Sequence, residues 1–426
     1  MNLDDQIKHR RAIEALRSGV PNRDAVLALG CTQPEIEEKF RQQLQSAKQG
    51  VVHGSMTHGM LVEGGFGAGK SHLFEYLQHL ALGQNFICSK VVISKETPLY
   101  DPVKLYRAAA EAAIVPGKMG AALTEIATKL DFNNQAYADL YQCVNRPGAD
   151  LNSWFAATLF LFERMPNDPE VRNRIIRFWS GERIGVGEIK KYLKACHETV
   201  TYKIDQIPLK ELALQRFKFA SRLMVAAGYA GWVLLVDEVE LIGRYSLMQR
   251  AKSYAELARW MGKLEEANFA GLTAVLAITD DFQSKILDGI LDGKEDLEKV
   301  SGKLRARASE SDLLLASQAE RGMRIIQRER TPLNPPDDAV LKQTYNKVRS
   351  IHAEAYGWEP PPVSSVEPLS TTRMREYVKG WITAWDLKRL DPEYNPEIKV
   401  KKLKQDYTED PNLQVPSEEE PEGNPE

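Results

Sequence analysis

Hydrophobic positions along the chain fall into short apolar runs and longer periodic stretches. Residues 4–17 set Ile7, Ile13 and Leu16 on one side at helical spacing, SGVPNRD breaks the pattern, and 34–44 resume it. MLVE at 60–63 and FICSKVVIS at 86–94 are short, apolar and partly β-branched, as buried strands are. A helical pattern over 72–81 lies between them, so strand, glycine loop, helix and strand follow in order as one βαβ unit. From 101 to about 203, amphipathic segments such as KLYRAAAEAA, SWFAATLFLFERM and EIKKYLKACHETV alternate with PG, NRPG, PND and SGERIG breaks, which predicts an all-helical insertion. A helix over 209–227 precedes two more buried strands, WVLLV at 232–236 and LTAVLAI at 272–278, and 324–326 is expected to begin a short last strand. PPDD at 335–338 starts a helix, and 371–390 form a closing one.

The fold class this predicts is α/β, a three-layer core around a parallel sheet with a large all-helical insertion and a C-terminal helical lid. Expected boundaries are 1–50 for an N-terminal helical segment, 51–100 and 206–334 for the two parts of the core, and 101–205 for the insertion. The lid is expected at 335–395, and a basic, then acidic, disordered tail at 396–426.

Composition narrows the function without naming it. The 426 residues are 43% hydrophobic and 27% charged with a formal net charge of −3, so any nucleic-acid surface has to be local. Cys31, Cys88, Cys143 and Cys196 are scattered with no CxxC pair, which argues against zinc and fits a reducing interior. No apolar run is long enough to span a membrane, and the first residues lack the apolar stretch of a secretory signal, so a cytoplasmic location is expected.

The chemistry gathers at strand ends. GGFGAGKS, directly after the first strand, fits G-x-x-x-x-G-K-[ST] at Gly64, Gly69, Lys70 and Ser71. Gly65, Phe66, Gly67 and Ala68 complete a backbone nest for anionic oxygens at a helix N-terminus, and His72 faces its rim. Lys70 is placed to reach the β- and γ-phosphates, and Ser71 to set its hydroxyl on Mg²⁺. WVLLVDEVE delivers Asp237 to the same metal and Glu238 to the attacking water, on a strand expected one sheet position from the loop. A nucleotide kinase has no need of Glu238 beside the magnesium aspartate, so the acidic pair favours hydrolysis. Thr279, ending LAIT, is placed to bond the lytic water or the γ-phosphate.

These motifs resemble the AAA+ superfamily, with Walker A at 64–71, Walker B at 233–238 and a sensor-1 position at Thr279, over residues 20–95 and 205–385. RRAIEALRSGVPNRDAV, GGFGAGKSHLFEYLQHLAL, VVISKETPLYDPVKLYRA and TRMREYVKGWITAWD look like the BrxD-type ATP-binding proteins of BREX-like bacterial phage-defence systems, relatives of origin-recognition-like ATPases. The resemblance implies an ATPase acting on or near DNA with a helicase and other defence proteins as partners. It implies adenine contact at Val20, Pro21 and Asn22, a sensor-2 arginine at Arg373, and an arginine finger donated between copies of a homo-oligomer. Arg321 is the finger candidate, with Arg305, Arg307 and Arg324 as competitors. The long stretch between Lys70 and Asp237 exceeds a minimal AAA+ core and is where the insertion fits.

For duplex or single-stranded DNA, RNRIIRFWSGERIGVGEIKKYLK offers Arg172, Arg174, Arg177, Arg183, Lys190, Lys191 and Lys194 around Phe178 and Trp179, and KVKKLK at 399–404 is a second basic patch. Three functions stay open on sequence: a DNA-associated ATPase that remodels a defence complex, a nucleotide-gated recruitment scaffold with little hydrolysis, and a P-loop kinase for a small molecule.

Overall fold

The structure, a computed structural model, describes residues 3–20, 22–118, 120–146, 151–264, 268–290, 294–363, 374–393, 407–410 and 413. Pro21, Arg373 and KVKKLK lie outside the described residues, as does most of the acidic tail.

Helices α1 (Leu3–Ser18), α2 (Arg23–Leu29) and α3 (Pro34–His53) precede strand β1 (Met60–Glu63), helix α4 (Lys70–Gly83) and strand β2 (Ile87–Val92). Then come α5 (Pro102–Glu111), β3 (Ala113–Ile114), α6 (Ala122–Thr128), α7 (Gln135–Asn145), α8 (Ser153–Arg164), α9 (Pro169–Trp179), α10 (Val186–Ala195) and α11 (Leu209–Ala226). Strand β4 (Trp232–Asp237), α12 (Leu247–Trp260), β5 (Leu272–Ile278), α13 (Asp296–Arg307), α14 (Glu310–Arg328), β6 (Arg330–Pro332), α15 (Asp338–Tyr356) and α16 (Met374–Leu390) complete the order.

The six strands pair as β3-β2-β4-β5-β1-β6, parallel throughout except for β3, which runs antiparallel to β2. Because the other five are parallel, the carboxyl ends of β1, β2, β4 and β5 share one edge. Strands β4 and β5 are buried along their whole length. Their residues alternate between two cores: Trp232, Leu234 and Val236 face one, Val233 and Leu235 the other. Burial on both faces is why these strands read as unbroken apolar runs.

One core packs α3 and α4 on the sheet, through Phe40, Leu44, Phe74 and Leu77. The opposite core is continuous from the sheet through α11 (Phe217, Phe219) into α5, α8 and α9 (Tyr106, Phe155, Trp179), so the insertion shares its interior with the sheet. A third cluster joins α1 and α2 to α15 and α16: Ile13, Leu16 and Ala25 meet Val348, Ile351, Trp381 and Trp385. The N-terminal helical segment is thus divided, α1 and α2 going to this bundle and α3 to the sheet.

Four expectations are corrected. The insertion is not all helical, since Ala113 and Ile114 add the antiparallel strand, and the sheet is therefore mixed. Residues 324–326 lie inside α14, and the last strand is Arg330–Pro332. β4 is two positions from β1, with β5 between them. Residues 407–410 and 413, expected within a disordered tail, are placed, and Tyr407 and Leu413 pack on the core.

Candidate nucleotide site

Strand β1 ends at Glu63 and hands the chain to the glycine loop. The loop's root is pinned on both sides: Gly64 N–H donates to Ile278 O (3.1 Å) and Leu333 N–H to Glu63 O (2.7 Å). Gly67 and Gly69 have φ of 78° and 106°, a left-handed backbone that side chains rarely adopt. Helix α4 begins at Lys70, so its first-turn N–H groups open toward the loop.

Lys70 is buried. Its ammonium donates to Gly64 O (2.7 Å) and Gly65 O (3.4 Å) and lies 4.0 Å from Glu240 Oε1. Ser71 Oγ donates to Asp237 Oδ2 at 3.2 Å, bringing loop and acidic strand end together across the intervening β5. These are hard oxygen donors of the kind Mg²⁺ takes, and they fit that ion. Glu238 turns out of β4 with φ 59° and is exposed. Its carboxyl sits above the ordinary range, first through loss of solvent and then through the charge of Asp237, against the pull of Lys70.

Glu240 was not foreseen. It lies on the 3₁₀ turn Val239–Arg244, is 3% exposed, and its Oε2 finds no hydrogen-bond partner among the described residues. Burial pushes its pKa up to about 7; Lys70 opposes this, and Asp237 and Glu238 add to it.

Thr279 follows β5 and is buried. Its Oγ1 is 2.6 Å from the hydroxyl of Tyr407, which donates to Asp281 Oδ1 at 2.7 Å. No local pattern in the sequence marks Tyr407 for this place.

A cavity of about 330 Å³ opens beside the loop, between sheet core and helical bundle, a size suited to a base and sugar. It is lined by Gly67, Ala68, Gly69, Ser71 and His72, the link 29–34, the link 333–337, and Met374, Arg375 and Val378 of α16. His72 Nε2 bonds Gly30 O at 3.0 Å, and burial lowers the imidazole pKa. Asn22 is spent elsewhere: it caps α2 through Ala25 N–H (2.9 Å), donates to Arg11 O (3.2 Å), and does not line the cavity. Arg375, two residues beyond Arg373, does line it, its guanidinium carbon 5.3 Å from the Phe66 ring centroid. Arg321 lies on α14 and donates to Lys263 O at 3.0 Å.

In the basic stretch, Phe178 and Trp179 are buried in the core and offer no stacking surface. Arg174 is tied to Glu188 (2.9 Å) and Arg172 to Phe162 O (3.0 Å), while Arg183, Lys190, Lys191 and Lys194 are exposed.

A mostly parallel α/β sheet with a lysine-bearing glycine loop and an acidic strand end on one edge is consistent with a P-loop nucleotide-binding core. The family model described as BREX system ATP-binding protein BrxC/D matches residues 6–138 and 155–382, and the chain belongs to that family. Membership brings an ATP-binding role and, as partners, other components of the defence system. No curated protein and no solved structure matches the chain. Among the described residues, no helix is long and apolar enough to cross a membrane.

Proposed function

We propose that this chain is an ATPase that binds Mg-ATP at the glycine loop and hydrolyses it to switch or remodel a DNA-associated defence complex. The 3.2 Å contact between Ser71 and Asp237 carries the reading, because it unites the phosphate loop and the acidic strand end at one point. In this reading the base and sugar occupy the cavity. Lys70 exchanges the carbonyls of Gly64 and Gly65 for phosphate oxygens, and the loop N–H groups bind the phosphate chain. Magnesium, held by Ser71 and Asp237, would neutralise charge on the phosphates. Glu238 orients the attacking water and accepts its proton, a task its raised pKa suits, and Thr279 donates to the γ-phosphate.

Helices α15 and α16 act as the lid over the cavity, with Arg375 the described cation in the place expected of Arg373. Arg321 would serve as a finger only toward a neighbouring copy. DNA contact, if it runs through the insertion, uses Arg183, Lys190, Lys191 and Lys194 as phosphate ligands without stacking, and so weakens steeply with salt. A helicase partner follows from the sequence resemblance.

The deciding experiment is Glu238→Gln. ATP binding should persist and turnover should vanish; equal turnover in variant and wild type removes the assignment. One observation favours the scaffold reading, in which hydrolysis is slight: Thr279 is already engaged by Tyr407.

A further inference from the structure

Part of the C-terminal segment lies at the catalytic edge, in a seat shaped for it. Tyr407 is 3% exposed, with its ring edge-on to Phe282 at 6.2 Å and the Lys285 ammonium 5.1 Å from its centroid. A Cβ on Gly243 would come within 2.8 Å of Tyr407 Cδ1, so the turn after Asp237 leaves room for this ring. Glu409 accepts from Arg250 Nη1 (2.8 Å) and Asp410 from Arg244 Nη2 (3.0 Å). Asp410 N–H donates to Arg244 O (3.2 Å), and the Lys294 ammonium bridges the carbonyls of Gly243 and Tyr407.

Hydrogen counting decides what this does to Thr279. A threonine hydroxyl has one hydrogen to donate. Burial opposes the charge on Asp281, but Lys285 at 2.9 Å and the Tyr407 hydroxyl at 2.7 Å hold the carboxyl below the ordinary range, so Asp281 acts as an acceptor. The Tyr407 hydrogen goes to Asp281 and the Thr279 hydrogen to the Tyr407 oxygen. Oxygens of a γ-phosphate only accept, and Thr279 has nothing left to donate to them.

We propose that residues 407–410 form an intramolecular strap that withholds Thr279 from the γ-phosphate, and that ATP and the seated strap compete for its hydroxyl. The inference rests on the reading of Thr279 given under the proposed function. By linkage, loosening the strap strengthens binding of a triphosphate and leaves a diphosphate alone.

The 426-residue chain is titrated with ADP and with an ATP analogue carrying an imido β,γ-bridge. Tyr407→Phe keeps the ring and removes the oxygen. It should tighten the analogue about three- to tenfold, the worth of one net hydrogen bond, and leave ADP unchanged. Glu409→Gln with Asp410→Asn, which loosens the anchors and keeps Tyr407, should act in the same direction. ATP turnover should rise with Tyr407→Phe, and Thr279→Ala in that background should cancel both gains. If analogue and ADP shift together, or neither shifts, the strap is overturned. Loss of turnover in Glu238→Gln alongside that result leaves the ATPase reading standing. Equal turnover in wild type and Glu238→Gln removes the ATPase reading while the analogue titration still decides the strap.

Discussion

Glu240 is a group whose charge this fold tolerates poorly, and Glu240→Gln measures how poorly. The side chain is 3% exposed, Oε2 has no described partner, and the Lys70 ammonium stands 4.0 Å from Oε1. A carboxyl raised from 4.5 to about 7 binds its proton more tightly folded than unfolded. That contribution to stability is fully present below the unfolded value and is lost as pH rises through about 7. A gap of about 2.5 units at 1.36 kcal/mol each corresponds to about 3 kcal/mol. Glutamine cannot ionise, so the variant escapes the loss, and its stability relative to wild type should climb by up to about 3 kcal/mol between about pH 5 and pH 8.5. At roughly 2.1 cal/mol/K per residue, a cooperative unit of 426 residues has an unfolding entropy of about 0.9 kcal/mol/K. The melting-temperature difference between variant and wild type should therefore grow by about 3 °C across that range. Thermal melts of the nucleotide-free full chain at constant ionic strength give this double difference, in which groups common to both proteins cancel. A difference equal at both ends of the range refutes the claim that Glu240 carries a buried, poorly compensated charge at neutral pH.

Other positions give further tests. Lys70→Ala should weaken ATP about 100-fold, the upper worth of a charge-assisted hydrogen bond, in a fluorescent-nucleotide titration; an unchanged affinity would mean that the loop does not hold the phosphates. In Gly322→Ala the new Cβ would sit 1.9 Å from Tyr254 O, where α14 crosses α12, so chemical unfolding should show a loss of about 3 kcal/mol or more; a near-neutral result would mean that the helices part without cost. Asp386→Asn breaks a partly buried chain in which Trp358 Nε1 donates to His352 Nδ1 (2.9 Å), His352 faces Asp386 (3.2 Å), and Arg17 donates to Asp386 (2.9 Å). It should cost about 2 kcal/mol, seen as faster hydrogen exchange in α1 and α16 and not in β4 or β5. Arg183→Ala with Lys190→Ala should weaken DNA binding and flatten its salt dependence by about two ions, read by fluorescence anisotropy; an unaltered slope places DNA elsewhere or nowhere.

What could be read in the sequence divides by the distance over which each residue acts. Gly67, Gly69, Lys70 and Ser71 were legible because a left-handed turn and a helix start are demands on local backbone, and LTAVLAI matched β5 because burial on both faces leaves no polar position. The stretch 324–326 misled for a related reason: Ile325 and Ile326 suit a strand, yet Ala316, Ala319, Met323 and Ile326 recur at helical spacing and bury against the core. A window centred on the isoleucines misses that longer stripe.

Glu240 and Tyr407 belong to the other kind. In VDEVE the third acid looks like a solvated neighbour of the second, and only the 3₁₀ turn after β4 carries it back over Lys70. Tyr407 stands among charges in a stretch whose composition favours disorder, and its value comes from a hydroxyl 128 positions earlier in the chain. Spacing can show that a donor and an acceptor exist. It cannot count whether a hydroxyl's single hydrogen is already spent, and that count separates a threonine that touches nucleotide from one held back by its own C-terminal segment.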